Sequence, residues 1–321
     1  MEKYNNELIP PPFGLLNNGA ICYFNSFLQT LCGCSAFTKK VLENSEYMSK
    51  TRTGIAIYQY VCMYTSNPIS TNIATATINI LRALVIDLRE RRPSIRFGNG
   101  QESAHEVFIL LLDMMEPQEE SSPEGNIISS IKSPITKLFL HKCEWNTYCM
   151  QCKKSISKKI DYGVIFDMHH IDFIQGGNGD SQNSQEYNHN SPIGFSNLIK
   201  NHISQLEGYN CPSCNTDSVC RIYSLKRIPE IVFCSFNIYY QYGRKIRYFP
   251  PYLEFETGND EGKYFFKLIG QIEHSGSLNG GHYWAKGLRQ DEKVYDLNDM
   301  GFAPSAFQST PHTYMVIYHI Q

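Results

Sequence analysis

Two short cysteine pairs, "CMQC" at 149–152 and "CPSC" at 211–214, constrain this chain more than any other feature. A Cys-X-X-Cys pair makes a knuckle with two thiolates on one side. Two such knuckles make a closed tetrahedral site, the kind that holds zinc for folding rather than for catalysis. Convergence of Cys149, Cys152, Cys211 and Cys214 on one structural Zn2+ would close the 58 residues between the pairs into a loop. That spacing exceeds the usual zinc ribbon. The surplus is supplied by "GGNGDSQNSQEYNHNSPIG" at 176–194, whose low complexity predicts a disordered surface insertion. Eleven cysteines behind a polar start, "MEKYNNELIPPPFG", point to reduced thiols. Among the others, Cys32, Cys34, Cys62 and Cys234 are expected as small buried apolar residues.

The rest of the chain divides by pattern. Up to about residue 117 the apolar spacing is helical. "TATINILRALVIDLRERRPS" puts Ile80, Leu81, Leu84, Val85 and Leu88 on one stripe and stops at Pro93. "GQESAHEVFILLLDMMEP" offers Ser103 and Glu106 as a capping box, with Val107, Leu110, Leu111 and Met114 as the buried face. After the linker "QEESSPEGN" the pattern turns to strands: "EIVFCSFNIYY", "KYFFKLIGQIEH", "HYWAKGLR", "KVYDL" and "TYMVIYHI". Helices first and strands later predict an α+β fold. The net charge of −2 offers nothing to nucleic acid or to an acidic membrane surface, and the longest apolar run, "VFILLL", is far too short to span a bilayer. A cytoplasmic or nuclear location is expected.

Two stretches have the chemistry of a nucleophile and its base. In "NNGAICYFNSFLQTL" (17–31) a polar turn leads to Cys22, and Tyr23, Phe27, Leu28 and Leu31 then recur on one helical face. A thiol in the first turn of a helix is biased toward thiolate by the macrodipole. Asn17 and the amides of the turn are the donor types that hold an oxyanion. In "EHSGSLNGGHYWAKGLRQDEKVYDLND", a glycine-rich loop leads into His282, and the returning strand brings Asn298 and Asp299. A cysteine nucleophile needs a histidine base, and that base needs an acceptor to fix its tautomer. Gly280 and Gly281 would leave bare backbone for an extended substrate.

Taken in this order, the motifs resemble the ubiquitin-specific protease family of deubiquitinating cysteine proteases. "GLLNNGAICYFNSFLQTL" is similar to its cysteine box, "GQESAHEVFILLLD" to its Gln-Gln-Asp-Ala-His-Glu-Phe helix, "HSGSLNGGHYWA" to its histidine box, and "YDLNDMGF" to the segment bearing its third catalytic residue. The resemblance implies one papain-like catalytic domain over 1–321. Its parts would be a helical thumb at 13–117, zinc-ribbon fingers at 138–235 and a β-rich palm at 236–321. It implies Cys22 as nucleophile, His282 as base, Asn298 as the orienting residue with Asp299 beside it, and Asn17 for the oxyanion. Gln101, Glu102, Ser103, His274 and Tyr283 would meet the ubiquitin tail, and Ser103 stands where the family commonly has aspartate. The implied activity is hydrolysis of the bond after the C-terminal glycine of ubiquitin, through a thioester and without a catalytic cofactor. The partners would be ubiquitin and ubiquitinated proteins, met by a monomer. A protease for another ubiquitin-like modifier and a ubiquitin-binding pseudoenzyme scaffold are the alternatives.

Overall fold

The structure is a computed structural model that describes residues 9–66, 72–97, 102–118, 133–167, 193–194, 204–236, 249–256, 263–277 and 280–321. Six helices come first: α1 (Cys22–Leu31), α2 (Ser35–Glu43), α3 (Ser45–Met48), α4 (Arg52–Tyr64), α5 (Ile73–Arg91) and α6 (Ala104–Met115). Strands follow: β1 (His141–Cys149), β2 (Ser155–Gly163), β3 (Phe166–Asp167), β4 (Ile193–Gly194), β5 (Ser204–Gln205), β6 (Val219–Arg227) and β7 (Ile231–Ser235). The last six are β8 (Tyr252–Glu256), β9 (Lys263–Ser277), β10 (Gly280–Leu288), β11 (Val294–Asn298), β12 (Gly301–Ser305) and β13 (Thr313–Ile320). The α+β order read from the sequence is the order found. Among the described residues no helix is long and apolar enough to cross a membrane.

The strands form two sheets. One has four strands in the order β2-β1-β6-β5 and carries the cysteine knuckles at its end. The other has nine, with β12-β11-β10-β9-β13-β7-β3 as its main path and β8 and β4 attached beside β9. β7, inside the stretch expected to be fingers, pairs with β13 in this larger sheet. Nearly all of the polar linker and of the 176–194 insertion lies outside the described residues, as does Gln101.

Helix α1 is buried on every side, not on the single face that its spacing predicted. It is the central helix, packed on β9 and β10 of the large sheet and covered by α5 and α6. Even its polar side chains therefore need internal partners: Thr30 Oγ1 donates to Ser26 O and Ser26 Oγ to Tyr23 O. A ring cluster ties the layers together. Phe108 of α6 stacks on Phe233 of β7 at 4.5 Å, with Phe27 of α1 at 5.3 Å and Phe139 at 5.0 Å from Phe108. Each fully buried ring of this kind contributes about 2–3 kcal/mol.

The helix starts differ from one another. Thr51 caps α4 with its side chain, accepting from Gly54 N–H at 2.9 Å. Ser103 occupies the N-cap position of α6 but makes no side-chain cap, so the expected capping box does not form. Its hydroxyl pairs with Tyr314 Oη at 2.7 Å instead. The α5 stripe is buried at Ile80, Leu84 and Leu88, while Leu81 and Val85 are half-buried at its edge. Cys32, Cys34 and Cys234 are buried as expected, whereas Cys62 is only half-buried on α4.

Candidate active site

Cys22 is the first residue of α1 and is 3% exposed. The turn before it is closed by Asn17, whose Oδ1 accepts from Ile21 N–H at 3.3 Å. The helix axis brings Cys22 against β10, where Tyr283 N–H donates to its Sγ at 3.5 Å. His282 is the preceding residue on that strand. Its Nε2 meets Asn298 Oδ1 at 2.7 Å across the β10–β11 pairing, which aligns Ala285 with Leu297 and runs toward Asn298. Since Oδ1 only accepts, this contact needs a proton on Nε2. The pairing of His282 with Asn298 expected from the hairpin is present, and Cys22 lies against the residue that follows His282.

Asp299 does something the sequence did not indicate. β11 and β12 are joined by a two-residue turn, with Asn298 opposite Gly301, and Asp299 sits in it at φ 49°. Aspartate tolerates this left-handed conformation better than most residues. From there its carboxylate faces α1: Asn17 Nδ2 donates to Oδ2 at 2.9 Å and Asn25 Nδ2 to Oδ1 at 2.8 Å. Its carbonyl accepts from Leu15 N–H at 2.8 Å. One of the two Asn17 amide hydrogens is thereby held, and the amide plane with it. Asn25 has no role in the sequence reading, although it stands inside the quoted cysteine box.

The thiol's electrostatics correct the expectation from helix position. Burial pushes the Cys22 pKa up from the ordinary thiol value, and the nearby negative charge of Asp299 adds to this. Hydrogen bonds from the backbone N–H groups of Tyr283, Tyr23 and Cys22 oppose the rise without cancelling it. Desolvation outweighs the helix N-terminus in this state.

Of the residues expected at the ubiquitin tail, Ser103, His274 and Tyr283 come together. His274 and Tyr283 are buried with ring centroids 4.2 Å apart, and Tyr314 packs on Tyr283 at 5.7 Å while bonding Ser103. Tyr314 was not singled out from the sequence; its place in a core strand concealed it. Glu102 is half-buried and acts electrostatically on Tyr23. The glycine-rich loop is mostly hairpin, since β9 and β10 stay paired out to Ser277 and Gly280. Gly281 is required by that closure, because a Cβ there would lie 2.6 Å from His274 Nε2.

The two knuckles adopt the same backbone form. Lys153 N–H donates to Cys149 O at 3.0 Å and Asn215 N–H to Cys211 O at 2.8 Å, with both donors at positive φ (60° and 55°). The four sulfurs of Cys149, Cys152, Cys211 and Cys214 lie within 4.8 Å of one another and could hold a metal ion. Cys149 and Cys214 are 3.6 Å apart, Cys152 and Cys211 3.7 Å. Backbone N–H groups already point at sulfur, from Cys152 to Cys149 at 3.5 Å and from Ser213 to Cys211 at 3.4 Å.

A helix-start thiol, an imidazole on the neighbouring strand and a carboxamide behind it are the groups of a papain-like thiol hydrolase. Comparison with known proteins gives the family and the fold. The family model "Ubiquitin carboxyl-terminal hydrolase" matches residues 13–318, and the chain belongs to that family. It is 21% identical over 329 residues to ubiquitin carboxyl-terminal hydrolase 36 of Drosophila virilis, covering 96% of this chain and 26% of that protein. With the Drosophila melanogaster protein of the same name the identity is 21% over 325 residues, covering 94% and 29%. The chain thus spans about a quarter of the length of these curated relatives. Among solved structures, the fold is similar to a chain of the SAGA Ubp8/Sgf11/Sus1/Sgf73 DUB module bound to ubiquitin aldehyde. There the TM-score is 0.69 at 17% identity, covering 100% of this chain and 71% of that one. The yeast SAGA DUB module with a mutant Sgf73 matches at TM-score 0.68 and 16% identity, covering 100% and 70%.

Proposed function

We propose that this chain is a thiol-dependent deubiquitinase that hydrolyses the isopeptide or peptide bond after the C-terminal glycine of ubiquitin. The observation that carries the reading is the His282 Nε2–Asn298 Oδ1 bond of 2.7 Å, made on the strand whose next residue donates to Cys22 Sγ. With Nε2 committed to Asn298, Nδ1 takes the Cys22 proton. The thiolate attacks the glycine carbonyl, and His282 returns the proton to the leaving amine. Water, deprotonated by His282, then opens the thioester. The Cys22 N–H and the second amide hydrogen of Asn17 stabilise both oxyanions. Removing one such donor costs about 2.7–4 kcal/mol of transition-state stabilisation in comparable sites. The raised thiol pKa fits a thiol that ionises as substrate excludes water and the imidazole takes its proton.

The four-cysteine group suits structural zinc. A tetrahedral ion with Zn–S bonds of about 2.3 Å sets its sulfurs about 3.8 Å apart, against 3.6 and 3.7 Å here. Bound there, zinc would clamp the end of the four-stranded sheet, which is separate from the sheet that carries His282, and take no part in the reaction. Ubiquitin is the modifier best supported, since the family and the ubiquitin-bound neighbours agree on it.

The test uses ubiquitin–amidomethylcoumarin and a ubiquitin-propargylamide probe side by side with probes of ubiquitin-like modifiers. The chain is expected to release coumarin and to gain one ubiquitin adduct at Cys22. Cys22→Ala is expected to bind ubiquitin without turnover. Residual cleavage by Cys22→Ala, or labelling by another modifier alone, overturns the reading.

A further inference from the structure

We propose that Arg289 is a positioning residue for the nucleophile: its buried guanidinium locks the register of α1 on β10 and so sets the seat of Cys22 against Tyr283. This rests on the reading of Cys22 as nucleophile.

Arg289 is 0% exposed, and among the described residues it forms no ion pair. Its contacts are all to neutral oxygens. Nη2 donates to Gln29 Oε1 at 2.6 Å and to Gln29 O at 3.1 Å, and Nη1 donates to Leu288 O at 2.9 Å. Gln29 Nε2 in turn donates to Phe13 O at 2.8 Å, tying in the segment that precedes the catalytic turn.

The placement of these contacts is what matters. Gln29 lies on α1 seven residues after Cys22, a rise of about 10 Å. Arg289 follows the end of β10, yet its side chain folds back: a Cβ on Gly287 would lie 2.7 Å from Nη1. The guanidinium therefore sits level with Gly287, four residues from Tyr283, about 13 Å along a strand. The two spans correspond. Helix and strand run side by side with one tie near each end, Tyr283 to Cys22 and Arg289 to Gln29. At the level of the second tie the paired residues of the sheet are both glycine. Gly270, the register partner of Gly287, leaves no room for a Cβ beside Thr30 of α1, so the helix is sunk directly onto the sheet backbone.

An apolar side chain would remove a buried charge that has no counter-ion but would leave Gln29 O, Gln29 Oε1 and Leu288 O without this donor. A guanidinium adds direction. Its planar fork sets Nη1 on Leu288 O and Nη2 on two oxygens of Gln29, and so resists both sliding and rotation of the helix. Apolar packing resists neither as sharply. A displacement of about 1 Å at a reacting atom costs on the order of a hundredfold in rate.

The test compares Arg289→Met, Arg289→Lys and Gln29→Leu with the parent in the full 321-residue chain. Three quantities are read: the thermal midpoint, kcat and KM on ubiquitin–amidomethylcoumarin per titrated active site, and the pH midpoint of Cys22 alkylation by iodoacetamide. For Arg289→Met the expected result is a protein that still unfolds cooperatively, with unchanged KM and kcat lowered about tenfold or more. The alkylation midpoint moves to higher pH, because the Tyr283 N–H that favours thiolate is no longer in reach. Arg289→Lys keeps the charge without the fork and is expected not to restore kcat. A folded Arg289→Met with parental kcat and alkylation midpoint overturns the proposal. If that variant fails to fold, a parental midpoint in Gln29→Leu overturns it, and failure of both to fold makes the residues structural and ends it. The alkylation readout needs no substrate, so a parent that ignores ubiquitin counts against the proposed function and leaves this test standing.

Discussion

The carboxylate of Asp299 has both oxygens occupied by side-chain amides, Asn17 on one and Asn25 on the other. At the same time its charge raises the pKa of Cys22. The two effects come apart in Asp299→Asn. Removing the charge lowers the thiol pKa, so alkylation of Cys22 by iodoacetamide at pH 7 is expected to speed up. The new amide offers one acceptor to two donors, so Asn17 loses its fixed plane and kcat is expected to fall about tenfold to hundredfold. Alkylation and turnover moving in the same direction would contradict this assignment. At this scale the pairing of His282 with Asn298 was legible in the sequence, and the electrostatics of the thiol were not. Cys22, His282 and Asn298 sit in recognisable motifs. The thiol's upward shift comes from burial between α1 and β10, and no local pattern encodes burial. Arg289 was illegible for the same reason: a charged residue at a strand end reads as solvent-facing until the fold closes over it.

Elements were legible where their own residues decide them. β9, β10, β11 and β13 are runs of aromatic and β-branched residues, and each formed where the pattern placed it. β12 was missed because "GFAPS" has a proline and is exposed throughout; it forms because the Asp299 turn folds it back onto β11. The capping box is absent, and the Ser103 hydroxyl pairs with Tyr314, a partner distant in sequence that no local pattern shows. The knuckles lie at the other extreme, since four residues each dictate their geometry. One equivalent of zinc is expected on the chain by metal analysis. Cys211→Ser should lose it and lower the thermal midpoint, as removal by a chelator should. Cys143 and Cys220 lie in the same sheet but make hydrogen bonds to backbone carbonyls. Cys143→Ser is therefore expected to keep the metal, and zinc loss in that variant would show that the ligand set is wrong.

For the molecule as a whole, the buried thiols make stability depend on pH in a definite direction. Burial pushes Cys34 up to about 12 and drives Cys32 and Cys234 higher still. Unfolded thiols ionise near pH 8.5 while these stay protonated. The unfolded state then binds fewer protons, so stability falls as pH rises above about 8.5, by up to about 1.4 kcal/mol per thiol per pH unit. Urea melts at pH 7.5, 9 and 10 check this, and Cys234→Ala should flatten the slope by one thiol's share. A stability that is level across that range would mean the three thiols are not held protonated.

β13 comes after all its sheet neighbours in sequence and yet lies in the sheet's interior, between β9 and β7. During synthesis the helices can gather as they emerge, but the sheet beneath α1 stays open until residues 313–320 have left the ribosome and slotted in. Contacts this distant in sequence are slow to make. A nascent copy therefore carries its thiol with no finished floor under it until residue 320 has emerged.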